Sequence, residues 1–522
     1  MFKDTVIVAL GTAVSRITGL LRVIVLGIIL GQTALADAFD GANNSPNSIY
    51  ELLVGGILAA SLLPLFTRFA EDKDDTATSA VISVSVILLT IATVVAVLCA
   101  PFIFHLYSLQ PSELVNADEY RRAGTQMARI FLIQIFFYGL TALGTAFLNA
   151  RRRFAMAAWA PVLSNLVTIG FLLLIPILRD GSPELVDIFS DRTLFLLLTL
   201  SATGGIAVMA LSLYPAVRAT DFSFRFTPDF SHPAVRAMVK MSLWTFGYVA
   251  TNQIALIVIK NLADPGSGNQ DAYSKAFIFF MLPHSLLTLS IATTFVPELV
   301  RRVRENDASG FARWMTSGIR WITVLTIPAA IGLAVMAHPI VSTLLEHGNF
   351  SAQAALNTSR ALTGFAVGIT GFSLYIFCLR GFYAHEDTRT PFYVNVVQNA
   401  INIVLALALV GRHGVLGLGL AFGLSYIIAA IIVAVILQRR FSAITVSALR
   451  PLFFPVTIAG TMMGCALWGV HQLWNPLSIF GRMSEVSVGL LLGASVYAVL
   501  LKVFKIDEVQ QFSDRLLKRS RF

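Results

Sequence analysis

Runs of about twenty apolar residues alternate with short polar clusters from one end of the 522-residue chain to the other. That length matches the roughly 30 Å hydrocarbon core of a bilayer when each run is helical. The pattern predicts an all-α polytopic membrane protein with fourteen transmembrane helices: 4–31, 34–67, 77–107, 122–148, 155–178, 193–217, 236–263, 271–300, 312–337, 352–380, 391–411, 415–438, 450–473 and 485–504. These are spans 1 to 14. Span 2 is too long to cross untilted, and Pro46 with Gly55-Gly56 is expected to bend it.

Two segments match at a fixed offset. "ILAASLLPLFTR" (57–68) and "SIATTFVPELVR" (290–301) share small residues, a proline and a closing arginine, and "DAF" (37–39) faces "DAY" (271–273). Span 2 thus corresponds to span 8. The expected organisation is two parallel six-helix lobes around a central cavity, 1–220 and 221–440, then a helix pair over 441–505 and a basic tail over 506–522. Parallel repeats of this kind are a transporter architecture.

Composition agrees, with 56% hydrophobic and 13% charged residues. With the amino terminus placed in the cytoplasm, 26 of the 38 lysines and arginines fall on the inner side and 6 on the outer, Arg121 and Arg122 among the latter. Basic residues are held inside by the insertion rule, so both termini are expected to be cytoplasmic. The net charge of +9 is then mostly topological and requires no nucleic acid. Cys99, Cys378 and Cys465 lie far apart in apolar segments and read as buried small hydrophobes.

The remaining six basic residues lie within spans. Arg16 and Arg22 share span 1, and Arg22 is roughly 27 Å from its start at 1.5 Å per residue, too deep to reach the inner face easily. An intramembrane arginine normally faces a polar interior and serves a function. Six residues apart, the two sit about 120° from one another and can share only a broad cavity. Ser15 lies on the face of Arg22, with Gly19 between them. Lys275 reads equally as a cavity residue or a snorkelling one, Lys260 as snorkelling at the outer interface, and Arg129 and Arg360 as interfacial. A cavity of this charge selects an anion, and guanidinium forks suit phosphate. The competing reading pairs the arginines with Asp37 or Glu51 as staples between spans 1 and 2.

No phosphate-loop motif is present, the eight histidines lack metal-ligand spacing, and no nucleophile stands beside a base, so a catalytic or metal-dependent activity is not expected. Span 11 places Asn395, Asn399 and Asn402 on one face, with Gln398 beside them. That stripe reads as interhelical hydrogen bonding, with a cation or polar site at Asn395 and Asn399 as the alternative.

"SRITGLLR" (15–22), "ADAFD" (36–40), "SPN" (45–47), "LLEHGNF" (344–350) and "RGFYAHEDTRTP" (380–391) resemble the MurJ/MviN family of lipid II flippases, within the multidrug/oligosaccharidyl-lipid/polysaccharide exporter superfamily. The resemblance runs in order from residue 5 to about 440. It implies a bacterial inner-membrane carrier that moves undecaprenyl-pyrophosphate-linked peptidoglycan precursor by alternating access, with spans 13 and 14 forming a groove for the lipid tail. It implies substrate-binding roles for Arg16, Arg22, Ser15, Asp37 and Asn47. Where better-known members carry arginine, this chain has Tyr50 and Glu51, and Ile278 five residues before Pro283; Lys275 lies one turn earlier. Expected partners are lipid II, membrane lipids and cell-wall synthesis proteins. No cofactor is expected; the membrane potential or a monovalent cation is the candidate driving force. Alternatives are export of another polyprenyl-linked oligosaccharide or a drug, or a non-transporting scaffold for cell-wall enzymes.

Overall fold

The computed structural model describes residues 2–52, 59–231, 243–474, 478–506 and 508. Gly55-Gly56, Arg236, Lys240 and the end of the basic tail lie outside the described residues. Every regular element among those described is helical. Among the described residues, ten helices are long and apolar enough to cross a membrane, or eleven with the bent pair Ala352–Val367 and Ile369–Ala384 counted as one span.

The chain packs as two compact units, one of Met1–Asp271 with His347–Ser351, the other of Ala272–Glu346 with Ala352–Phe522. The first unit therefore runs past residue 220 and includes the helix Leu243–Leu262. Polar groups hold that helix there. Asn261 donates to the Leu106 carbonyl at 2.7 Å, and its side-chain oxygen accepts the Leu109 amide at 2.7 Å.

Within the first unit, Phe2–Leu30 packs along Phe154–Leu178, which packs in turn on Arg192–Leu211. One apolar core gathers Phe39, Phe104, Tyr120 and Phe131; a second gathers Phe66, Leu143 and Phe147. Span 3 is interrupted at Cys99, with Pro101 following, so that Asp75–Leu98 is succeeded by a short helix, Ala100–Leu106. Pro46 lies within the helix Ala34–Tyr50, which continues through it. A proline has no N–H for the carbonyl four residues back. Side chains bond the neighbouring turn instead, Ser45 to the Gly41 carbonyl at 2.9 Å and Asn47 to the Asn43 carbonyl at 3.2 Å.

The second unit is built on close helix approach and stacked aromatics. Phe277, Phe280, Phe365, Phe372, Phe422 and Tyr426 form a continuous ring-contact cluster. Beside it Gly368 meets Gly423 so tightly that an added Cβ would lie 2.3 Å from the Gly423 Cα. Small residues let helices in lipid approach backbone to backbone, where dispersion and packing supply the attraction that apolar burial does not. Residues 389–441 form one helical run broken at Gly414 (φ 53°, ψ −132°), the junction expected between spans 11 and 12. Val446–Leu473 and Ile479–Val503 complete the unit; the former packs on Ala308–Val335, and Tyr497 donates to the Val324 carbonyl at 2.8 Å.

The "AHEDTRTP" segment is a corner. The Asp387 carboxylate accepts the amides of Arg389 and Thr390, both at 3.0 Å, the Thr390 hydroxyl at 2.7 Å and Arg440 at 2.7 Å. Partial burial alone would raise its pKa, but these partners offset it and hold Asp387 below the ordinary carboxylate range. The corner is thus fully stabilised above the ordinary carboxylate pKa and loses that contribution as pH falls through the lowered value.

Two sequence expectations are corrected. Cys99 and Cys465 are exposed and only Cys378 is buried, because an apolar side chain on a spanning segment is as well solvated by hydrocarbon as by a core. Lys260 does not snorkel. It is 1% exposed and ion-paired with Asp40, since burial between helices leaves an ammonium no route to water.

Gly368→Ala should lower the thermal midpoint of the purified protein, because overpacking against backbone costs about 1–3 kcal/mol or more. Gly411→Ala, whose new methyl would meet nothing within 4 Å, should leave it unchanged or raise it slightly. Equal midpoints for the two variants would contradict the close approach.

Candidate functional site

The first helix, Phe2–Leu30, carries Ser15, Arg16 and Arg22. Its far end is fixed by the "HGNF" segment. Gly31 takes the left-handed conformation at φ +66°, and Asn349 donates its amide to the Ile28 carbonyl at 2.9 Å and its side chain to the Ile29 carbonyl at 2.6 Å. These carbonyls are among those a helix terminus leaves without an internal partner.

Midway along, Asn165 of Phe154–Leu178 donates to the Ser15 carbonyl at 3.2 Å and to the Thr18 hydroxyl at 3.1 Å. The clamp straddles Arg16, from Ser15 to Thr18, one turn before Arg22. Arg16 is exposed and Arg22 half-buried. Among the described residues neither guanidinium makes an ion pair or a side-chain hydrogen bond. Tyr138 is the electrostatic neighbour of Arg22, and its ring lies 4.9 Å from that of Tyr50.

The carboxylates expected to staple the arginines are engaged elsewhere. Asp37 is fully buried, and its two oxygens accept the amides of Gly266 at 2.9 Å, Gly268 at 2.8 Å and Asp271 at 2.8 Å. One turn later Asp40 pairs with Lys260, which also donates to the Gln270 carbonyl at 3.1 Å. Glu51 accepts from Gln253 at 2.5 Å. The two aspartates of "ADAFD" therefore hold the 260–271 connection on the helix Ala34–Tyr50. Asn47, on the same helix, is half-buried and bonded to its own preceding turn.

In the second unit Lys275 is 3% exposed on Asn269–Pro283. That helix passes into a π-helical turn, His284–Thr288, where His284 bonds Ser373 at 2.9 Å. Asn395, Gln398, Asn399 and Asn402 are all buried; Gln398 donates to Ser425 at 3.0 Å and Asn399 to the Asn395 carbonyl at 3.0 Å. Among the described residues no three histidine, cysteine, aspartate or glutamate side chains are grouped to hold a metal ion.

Sequence reasoning missed Asn165, Tyr138 and Gln253. The signal for Asn165 was present, as an amide with Ser164 and Thr168 in an otherwise apolar span. Tyr138 and Gln253 had no distinguishing pattern.

Removing one member of the Asp40–Lys260 pair should destabilise strongly, by about 3–5 kcal/mol, because a buried charge is left without its counter-charge. Asp40→Leu with Lys260→Met together should cost less than either alone. The order of thermal midpoints for the four proteins checks this; additive losses would contradict a buried pair.

The chain is similar in sequence to the probable lipid II flippase MurJ of Haemophilus influenzae, at 27% identity over 94% of this chain and 97% of that one. It is similar to the lipid II flippase MurJ of Burkholderia cenocepacia at 26% identity over 84% of each. Its fold matches a structure described as lipid II flippase MurJ in an inward closed conformation, with a TM-score of 0.77 and 21% identity over 97% of this chain and all of that one. It also matches an inward-facing multidrug resistance MATE transporter of the MOP superfamily, with a TM-score of 0.68 and 14% identity over 82% and 95% of the two chains. The family model for lipid II flippase MurJ matches residues 26–489, and the chain belongs to that family.

Proposed function

We propose that this protein carries lipid II, the undecaprenyl-pyrophosphate-linked peptidoglycan precursor, from the inner to the outer leaflet of the bacterial inner membrane by alternating access. Family membership supports the cargo. The observation that carries the mechanism is the pair Arg16 and Arg22, on a spanning helix and without a protein counter-charge among the described residues. Positive charge in a low-dielectric setting is stabilised only when something negative arrives. A pyrophosphate supplies it, with two phosphates to accept guanidinium forks.

Asn165 is proposed to fix the helix between the arginines, and Tyr138 to steady Arg22. Lys275 is kept as an accessory cation of the second repeat, and Ser15 and Asn47 as polar contacts for the headgroup. Asp37 acts by holding the 264–271 connection. Because a ligand shifts a conformational equilibrium only through differential affinity, the anion must bind the inward and outward forms unequally. A membrane potential acts on each uncompensated arginine by about 2.3 kcal/mol per charge per 100 mV, enough to bias return of the empty carrier. A monovalent cation at Asn395 and Asn399 is the other candidate source of energy.

Topologically, we assign fourteen spans. The ten long helices become eleven when 389–441 is divided at Gly414. The bent pair over 352–384, the elements Ala34–Tyr50 with Ala59–Glu71 taken together, and Leu243–Leu262 complete the number. Residues 1–220 and 221–440 are the two repeats, 441–505 the lipid-tail groove and 506–522 a cytoplasmic tail, with both termini inside.

In cells depleted of their own flippase, the wild-type chain should restore surface-exposed lipid II. Arg16→Ala and Arg22→Ala should each reduce it about tenfold to a hundredfold at matched expression, the equivalent of about 1.5–3 kcal/mol per charged hydrogen bond. Lysine at either position should recover only part, lacking the fork. Rescue that survives loss of both arginines would sink the pyrophosphate site, and failure of well-expressed wild type would point to another polyprenyl-linked cargo.

A further inference from the structure

Three arginines surround a cavity that the transport reading does not use. Insertion keeps basic residues off the outer side of the membrane. Arg121 and Arg122 are nevertheless on the side expected to be outer, and Arg129 lies about two helical turns further along the chain. The structure brings all three to the rim and wall of an open cavity of about 880 Å³ in the first unit.

The cavity lies between Ala100–Leu106 and Ala117–Phe131. On the second helix Arg122, Thr125, Gln126 and Arg129 follow the i, i+3, i+4, i+7 pattern of one face, and the cavity is lined by all four. Seven residues at 1.5 Å place Arg129 about 10 Å below Arg122 along the axis. His105 and Phe102 form the facing wall, and Asp118 stands at the upper end.

The arginines differ in commitment. Arg121 donates to the Ser108 carbonyl at 3.1 and 3.0 Å and to the Leu109 carbonyl at 3.0 Å, closing the turn above the cavity. Arg122 lies over the Phe189 ring at 5.2 Å. Neither Arg122 nor Arg129 has an ion-pair partner among the described residues, and both are exposed. Below the cavity the surface turns apolar. Ile91, Val94, Val95, Leu98 and Phe102 are exposed along Asp75–Leu98 and its continuation, Leu98 at 75% and Phe102 at 65%. On a spanning helix such a wall faces acyl chains.

We propose that this cavity is a binding site for an anionic phospholipid of the outer leaflet, its phosphate held by Arg122 and Arg129 and its acyl chains lying along Leu98 and Phe102. Charge and shape select this occupant. The two guanidinium groups, neither with an ion-pair partner among the described residues, sit beside an exposed apolar wall, and Thr125 and Gln126 offer neutral hydrogen bonds to a glycerol or sugar-alcohol headgroup. A zwitterionic headgroup brings its own ammonium against the arginines, leaving Asp118 alone to receive it. The site is separate from Arg16 and Arg22 and does not need their pyrophosphate role; its assignment to the outer leaflet rests on the orientation proposed above.

The test is native mass spectrometry of the full chain, wild type and Arg122→Gln/Arg129→Gln, titrated with phosphatidylglycerol, with phosphatidylcholine and with inorganic phosphate. Wild type should retain at least one more phosphatidylglycerol than the double variant across the titration, with no such difference for phosphatidylcholine or phosphate. Thermal midpoints of the two proteins in detergent, equal within error, establish that the variant is folded; Arg122→Lys/Arg129→Lys should keep the extra lipid should the glutamine variant fail to fold. Equal phosphatidylglycerol retention by wild type and the folded variant would overturn the proposal. So would an equal difference for phosphatidylcholine, or inorganic phosphate that displaces the retained lipid.

Discussion

A charge placed inside a hydrocarbon slab must find a partner, a route to water or a ligand, and the arrangement of this protein follows from how each intramembrane charge meets that demand. Lys260 finds Asp40. Asp37 finds three backbone amides, and Glu51 finds the Gln253 side chain. Nearer the inner side, half-buried Arg320 is closed in the same way by Glu508 and the Ala448 carbonyl. Against these satisfied groups, Arg16 and Arg22 stand out on the first helix. Asp37, Asp40 and Glu51, the acids of the following span, are already spent on holding the 260–271 connection and the helix Leu243–Leu262 in place.

That distribution separates scaffold from site. Buried pairs contribute less to stability than their Coulomb attraction suggests, because both charges are desolvated, but breaking one is costly, so they fix a single arrangement. The Asp37 and Asp40 contacts do this for the first unit. The second unit reaches the same end without charge, through the glycine contact at Gly368 and Gly423 and the aromatic cluster around Phe365 and Phe422. Asn165 and Asn349 hold the first helix at its middle and its end, and this fixed backbone is what the proposed binding role of Arg16 and Arg22 requires.

Much of this was legible in the sequence. The apolar period marked the helices, and Gly414 fell at the junction expected between spans 11 and 12 because a break in hydropathy there coincides with a residue tolerant of positive φ. Arg16 and Arg22 stood out as charges in an apolar run. What could not be read was partnership. A lysine at 260 looks the same whether it snorkels or pairs with an aspartate 220 positions away, and Asp37 looks like a ligand residue until its oxygens are seen to be taken by Gly266, Gly268 and Asp271. Long-range contacts leave no periodic trace.

The central claim is that Arg16 and Arg22 are left without protein counter-charge so that a pyrophosphate can supply it. Equilibrium binding of undecaprenyl pyrophosphate and of undecaprenyl monophosphate to the purified full chain in lipid nanodiscs tests this most directly, for wild type and for Arg16→Gln/Arg22→Gln. The account predicts that wild type prefers the diphosphate and that the double variant loses most of that preference while remaining folded. A folded double variant that binds the diphosphate as tightly and as selectively as wild type would contradict it.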